Sequence, residues 1–254
     1  MGEVINMPKI VIQKRGGRLR EGSIALLNSM AGGSLNDRLD VQNFRLEDPY
    51  SYEMSPQTRV SCQYNMPVQL FPMRDDDIPN LVANNACQFG IVGSNVVAEW
   101  QLANARSVNN GICAQWKSTA QDMTTRRSID ILAPLNFGTT KLMLAIPQEI
   151  AATLKNDADE SWIKFIAGAR IATSYPYILE EFLTAKGVEP GEIISLQGNV
   201  EASYPLGLAD AVCDLVESGR TLRENALYLQ SALKLMGIRT NKLIAVKSEL
   251  WDPK

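Results

Sequence analysis

Blocks of apolar and polar residues succeed one another along the chain with two alternating periods, and the elements follow from them. "KIVIQK" (9–14) is a short apolar run bounded by charge, which predicts a buried strand, and "REGSIALLNSM" (20–30) has apolar residues at helical spacing. Residues 31–60 are polar and dotted with Pro and Tyr, which predicts irregular structure or a short hairpin. "VSCQYN" and "VQLFPM" predict strands. "RDDDIPNLVANNA" predicts a helix start with acids in its first turn, where the helix dipole favours them. "CQFGIVG" predicts a strand and "SNVVAEWQLANA" a helix capped by Ser94.

Residues 104–128 lack clear periodicity and predict a loop with one short helix. "IDILAPLNFGTTKLMLAIP" then gives two strands around 136–140. "SWIKFIAGARIATSYPYILEEFLTAKGV" gives helix, strand, turn and helix, and "EIISLQG" a strand. "GLADAVCDLV" predicts a short helix running into a strand, "TLRENALYLQSALKLM" a helix, and "NKLIAV" a last strand. Alternating strands and helices imply an α/β fold with parallel sheets. Glycine-marked joints near Gly138 and Gly219 predict a chain that leaves one sheet, builds a second and returns, with a ligand site in the cleft between two lobes. The expected boundaries are 1–138 for the first lobe, with a possible return near the C-terminus, 139–227 for the second, and 228–254 for a C-terminal helix and return strand.

Composition narrows the chemistry. The chain has 254 residues, 45% of them apolar, and a net charge of -3, which argues against nucleic acid or an anionic membrane as the main partner. No apolar run approaches the length of a membrane span and no signal peptide is visible, so the cytoplasm is the expected compartment. Cys62, Cys87, Cys113 and Cys213 form no C-x-x-C pair and read as reduced, buried or incidental thiols. The absence of histidine removes Ser-His-Asp triads, Cys-His pairs and histidine metal sites together. Catalysis must use carboxylates, Lys, Arg, Tyr, thiols, backbone amides or an oxygen-held metal.

Four stretches fit that chemistry. "RGGRLREGS" (15–23) fails as a P-loop, because Ser23 stands where the lysine should be. With Lys14, Arg15, Arg18 and Arg20 it reads either as a phosphate-holding turn or as a solvated charged loop. "RDDDIP" (74–79) reads as dipole-complementing acids, with Asp75 or Asp77 open to a functional role. "TSYP" (173–176) offers Thr173, Ser174 and Tyr175 at a helix start: an anion site, or an ordinary cap. The strongest is "ADAVCDLVESGRTLREN" (209–225). It places Asp210 and Asp214 at one end of a strand, Glu217 in the turn, and Ser218, Gly219, Arg220 and Thr221 at a helix start. Amides and hydroxyls there suit a sugar phosphate, and the acids suit ribose hydroxyls or magnesium.

With "IQKRGGRLREGS", "MRDDDIPNLVANNACQFGIVGSNV", "LNFGTTKLMLAIP", "RIATSYPYIL", "EIISLQGNVEASYPLGLADAVCDLVESGRTLRENAL" and "NKLIAV" in order, the chain resembles the ATP phosphoribosyltransferase family. The resemblance implies two α/β lobes resembling a type II periplasmic-binding-protein fold, with the active site in the interlobe cleft. It implies transfer of a phosphoribosyl group from phosphoribosyl pyrophosphate to N1 of ATP, with release of pyrophosphate, as the first step of histidine biosynthesis, and with Mg2+ required. Lys14, Arg18, Glu201 and Asp214 take catalytic places in that likeness. Glu217, Ser218, Gly219, Arg220 and Thr221 hold the ribosyl donor, and Arg74, Asp75, Ser94, Lys141, Thr173, Ser174 and Tyr175 lie near the nucleotide. It further implies a homo-oligomer, dimer or higher, and room for a regulatory subunit; no C-terminal regulatory domain is expected in this chain. The sequence departs from the family at the first turn, one residue longer than "QKSGRL", and at Gln88 and Asn199, which replace a common Asp and Ser. A non-catalytic two-lobed nucleotide- or phosphate-binding or regulatory homologue is the competing reading.

Overall fold

A computed structural model describes residues 9–14, 18–30, 59–61, 67–109, 128–135, 137–153, 161–216, 224–225, 227–232 and 243–248. The chain divides into two compact units. The first is Met1–Val96 with Lys117–Gly138 and Leu243–Lys254; the second is Val97–Trp116 with Thr139–Lys242. The division carries residues 97–116 and 228–242 into the second unit, whereas the sequence reading gave 1–138 to one lobe and 228–254 to a separate tail.

The first unit holds a six-stranded sheet in the order β2-β3-β1-β4-β11-β5. Its strands are β1 (Lys9–Gln13), β2 (Arg59–Ser61), β3 (Pro67–Met73), β4 (Phe89–Gly93), β5 (Ile129–Pro134) and β11 (Leu243–Ser248). β1 runs parallel to β3 and β4, while β11 runs antiparallel to β4 and β5, and β2 to β3. Helix α1 (Arg18–Met30) packs Leu27 onto Ile12, Leu70 and Ile91. Gly22 in α1 is required by contact rather than by backbone angle: a Cβ there would lie 2.5 Å from the Phe137 ring. The acids after β3 form a 3-10 turn, Asp75–Asp77, ahead of α2 (Ile78–Ala83).

The second unit holds a five-stranded sheet in the order β10-β6-β9-β7-β8. Its strands are β6 (Lys141–Pro147), β7 (Arg170–Thr173), β8 (Glu192–Ser195), β9 (Ala211–Val216) and β10 (Leu227–Ala232). β7 is parallel to β8 and β9; β6 is antiparallel to β9 and to β10. Both sheets are therefore mixed, not parallel as expected: β2 and β11 run against the other strands of the first sheet, and β6 against those of the second. Helices α3 (Ser94–Asn109), α4 (Gln148–Ala151), α5 (Ser161–Ile166) and α6 (Pro176–Ala185) follow. One face of this sheet buries Leu142, Leu144, Ile146, Ile171 and Cys213 against Trp162, Ile166, Ile178, Leu179 and Leu183. The other buries Ala145, Ala172, Val212 and Val216 against Val200 and Tyr204.

Two element expectations are corrected. Residues 227–232 are strand, not helix: "LYLQSA" pairs along β6, and edge pairing overrides its helical propensity. The helical turn expected at 207–210 lies earlier, as a 3-10 turn at Val200–Ser203 that follows the left-handed Asn199. Of the stretches expected to be irregular, 31–60 and 104–128, residues 104–109 instead continue α3 and 59–60 begin β2, while 31–58 and 110–127 lie outside the described residues.

Candidate active site

Parallel strands deliver their following turns to one edge of a sheet, and that edge is where α/β proteins bind ligands. In the first unit, Gln13 is in register with Met73, and Lys14 N–H donates to the Met73 carbonyl at 2.6 Å. Lys14 and Arg74, the residues next along each strand, therefore share that edge, and both are exposed. Asp75 opens the 3-10 turn beside them and Ser94 opens α3 directly after β4. Ser94 is thus inside the helix rather than before it. Arg18 begins α1, and its side chain lies outside the described residues.

In the second unit the carboxyl ends of β7, β8 and β9 form the corresponding edge, and antiparallel β6 brings Lys141 there opposite Val216. Asp214 lies on β9 opposite Met143, on the sheet face closed by the 200–203 turn. Its Oδ1 accepts the Leu215 N–H at 2.7 Å. Burial pushes its carboxyl up to about 6, and the negative charge of Glu201, from that turn, adds to the push. Asp214 and Glu201 thus face one another closely enough for their charges to interact, where a carboxylate is held ready but poorly solvated. Glu217, Ser218, Gly219, Arg220 and Thr221 follow β9 and lie outside the described residues.

At "TSYP", read from the sequence as an anion site or an ordinary cap, the structure shows a cap supplied from elsewhere in the chain. The N-terminus of α6 does hold an anion, but the anion is Glu99 of α3. Its Oε1 accepts the Tyr177 N–H at 2.8 Å and its Oε2 the Ile178 N–H at 2.9 Å. Pro176 has no N–H, and the Tyr175 N–H goes to Thr173 Oγ1 at 2.9 Å, so the leading amides are all engaged. Ser174 Oγ donates to the Leu196 carbonyl at 2.8 Å, Thr173 is fully buried, and Tyr175 is buried in the core. These three residues shape the turn; their side chains serve its interior. Burial pushes the Glu99 carboxyl up, against the pull of the two amides and of the Arg106 charge. Arg106 in turn pairs with Glu180 and lies over the Tyr177 ring. The sequence reading missed Glu99, whose signal was a single acid inside the apolar stretch "VVAEW".

Asp210 does not share an end of β9 with Asp214. It precedes the strand and clasps Arg170, with Arg170 Nη2 to Asp210 Oδ1 at 2.9 Å and the Arg170 N–H to Oδ2 at 2.8 Å. That pair ties the starts of β7 and β9, at the edge away from the candidate site.

Two mixed α/β units of this topology resemble the type II periplasmic-binding-protein fold. A putative periplasmic sulfonate-binding protein, SsuA of Methylobacillus flagellatus KT, shares the fold with a TM-score of 0.52 at 14% identity, over 98% of this chain and 63% of that one. A chain of the ATP phosphoribosyl transferase (HisG:HisZ) complex from Thermotoga maritima shares it with a TM-score of 0.57 at 21% identity, over 95% of this chain and 88% of that one. The ATP phosphoribosyltransferase family model (HisG) matches residues 74–252, and the chain belongs to that family. The ATP phosphoribosyltransferase of Maricaulis maris (strain MCS10) is 38% identical over 163 residues, 64% of this chain and 46% of that protein. The chain thus spans about half the length of that curated relative. Among the described residues no helix is long and apolar enough to cross a membrane.

Proposed function

We propose that this chain transfers the phosphoribosyl group of phosphoribosyl pyrophosphate to N1 of ATP, the first step of histidine biosynthesis. Family membership supports the reaction. The observation on this chain that carries it is Asp214, a poorly solvated acid beside Glu201 on the strand that leads into "ESGRT". In this reading Ser218, Gly219, Arg220 and Thr221 hold the 5-phosphate of the donor, with Glu217 beside them. Asp214 and Glu201 accept bonds from ribose hydroxyls and stabilise the positive charge that grows at the anomeric carbon. The N1 lone pair of adenine forms the new bond to that carbon as the bond to the pyrophosphate oxygen breaks, and the electron pair leaves with pyrophosphate. Lys14 and Arg18 offset the charge on the departing group. Arg74, Asp75, Ser94 and Lys141 contact the nucleotide, while the 173–175 turn supplies shape. With no histidine in the chain, rate comes from positioning and charge.

Bound Mg2+ would offset negative charge on the donor's pyrophosphate. Glu201 and Asp214, as hard oxygen donors, would be the residues of this chain able to hold it. We extend the reading to a cytoplasmic homo-oligomer able to take a regulatory subunit, supported by the structural relative that is itself a complex. The test is pyrophosphate release, read through pyrophosphatase, with ATP and phosphoribosyl pyrophosphate supplied singly and together. Release only with both supports the reading; no release above the substrate-alone controls overturns it.

A further inference from the structure

The carboxyl edge of the first sheet contains a buried side-chain bridge that the reaction as proposed does not use. β1 stays with β3 to its last residue, Gln13 with Met73, and beyond it through Lys14 N–H. Its backbone pairing with β4 covers only Ile10 with Phe89 and Val11 with Gly90. The chain leaves β1 toward the β2–β3 side of the sheet, whereas β5, the next strand of this sheet after β4, lies on the other side. The gap between β1 and β4 is therefore the topological switch point, where such sheets bind ligands.

Gln13 closes the floor of that gap. It is 2% exposed, and its Nε2 donates to the Ile91 carbonyl of β4 at 3.0 Å. Its Oε1 accepts the hydroxyl of Ser23, a fully buried residue of α1, at 3.1 Å. A carbonyl can only accept, so the Ile91 bond fixes which end of the carboxamide is the donor. One side chain thus joins β1, β4 and α1 at the residue that precedes Lys14, on the strand next to the one that leads into α3 at Ser94. A leucine would pack there on apolar grounds alone; the two bonds specify direction.

Resting on the function proposed above, we propose that Gln13 is a positioning residue for the pyrophosphate half of the site. Its carboxamide locks the end of β1 to β4 and to α1, so that Lys14, the next residue along the chain, is already placed when pyrophosphate departs. Misplacement of a positioning group by an ångström costs up to about a hundredfold in rate.

The test compares wild type with Gln13→Glu and Ser23→Ala. It reads thermal midpoint, kcat, KM for each substrate, and pyrophosphate affinity by calorimetry, each from pH 6 to 8.5. An ionised carboxylate cannot donate to Ile91, but a protonated one donates and accepts as the amide does. Gln13→Glu is therefore expected to lose about ten- to a hundredfold in kcat and pyrophosphate affinity at pH 8 and to regain activity as pH falls, with KM for ATP within about threefold. Ser23→Ala should shift the same quantities by about threefold, as one neutral hydrogen bond is lost. Losses that are flat with pH, losses shared equally by ATP, or a lowered midpoint with unchanged kinetics would each overturn the proposal. If wild type shows no turnover, the function reading fails, and pyrophosphate calorimetry decides on Gln13 alone: weaker binding by Gln13→Glu supports the role, while equal binding or none by wild type overturns it. If Gln13→Glu does not fold, unchanged pyrophosphate affinity in Ser23→Ala overturns it and weakened affinity supports it.

Discussion

Replacing Asp214 by Asn should make the protein more stable and less active. The Asp214 carboxyl rises from its ordinary 3.8 to about 6, chiefly by burial. A raised carboxylate means that the folded state prefers the neutral acid. The stability associated with it is fully present below about pH 3.8, is lost as pH rises through about 6, and stays lost above that. Two pH units at roughly 1.4 kcal/mol each put the cost at neutral pH near 3 kcal/mol. Asn is neutral at every pH and keeps an oxygen to accept the Leu215 N–H, so it removes the cost without removing that bond. Urea unfolding of wild type and Asp214→Asn, without substrates, at pH 4 and pH 7.5 isolates the effect, since all other carboxyls are common to both proteins. At pH 4 the two should agree within about 0.5 kcal/mol, and at pH 7.5 Asn should be more stable by about 2–3 kcal/mol. The same variant should lose at least about tenfold in kcat/KM, because an amide cannot offset the charge at the anomeric carbon. Equal or lower stability at pH 7.5, or a difference that does not change with pH, would refute the reasoning that Asp214 is a destabilised, functionally retained acid.

Gly22→Val should lower stability by about 1–3 kcal/mol, measured by thermal or urea unfolding, because the new side chain meets the Phe137 ring and must displace it. Glu99→Gln should lower stability by about 1–2 kcal/mol: one of the two α6 amides would then face an N–H, which outweighs the relief of a buried charge. An unchanged midpoint in the first would mean that Phe137 moves aside freely. A raised midpoint in the second would mean that desolvation, not the two amide bonds, dominates at Glu99.

The sequence was most legible where local and tertiary preferences agree. "KIVIQ", "FGIVG", "RIAT" and "AVCDLV" are buried strands because no other element accommodates such short apolar runs between turns. It was least legible where pairing partners are distant. "LYLQSA" has helical propensity, yet β6 offers it an open edge about eighty residues earlier in the chain. Strand direction was hidden for the same reason, since nothing local says that β6 and β11 run against their neighbours. At the candidate site, the positions of Lys14 and Arg74 at the end of their strands, and of Asp214 on β9, could be read from the turns they adjoin. Glu99 and Gln13 could not, because what distinguishes them is a partner elsewhere: amides opened by Pro176, and a carbonyl left where β1 and β4 part. Asp210 and Asp214 show the converse error. They are close in sequence, but Asp210 precedes β9 and Asp214 lies within it, toward the far end.

The proposed reaction forms a bond between the anomeric carbon of the ribosyl donor and N1 of ATP. Wild-type protein is incubated with magnesium, donor labelled with carbon-13 at C1 and ATP labelled with nitrogen-15 at N1, and the mixture is examined by nuclear magnetic resonance. A one-bond carbon–nitrogen coupling that grows with time, and is lost or strongly slowed with Asp214→Asn, is the result predicted. Unchanged donor, or label found only in free ribose phosphate with no coupling to nitrogen, would contradict it.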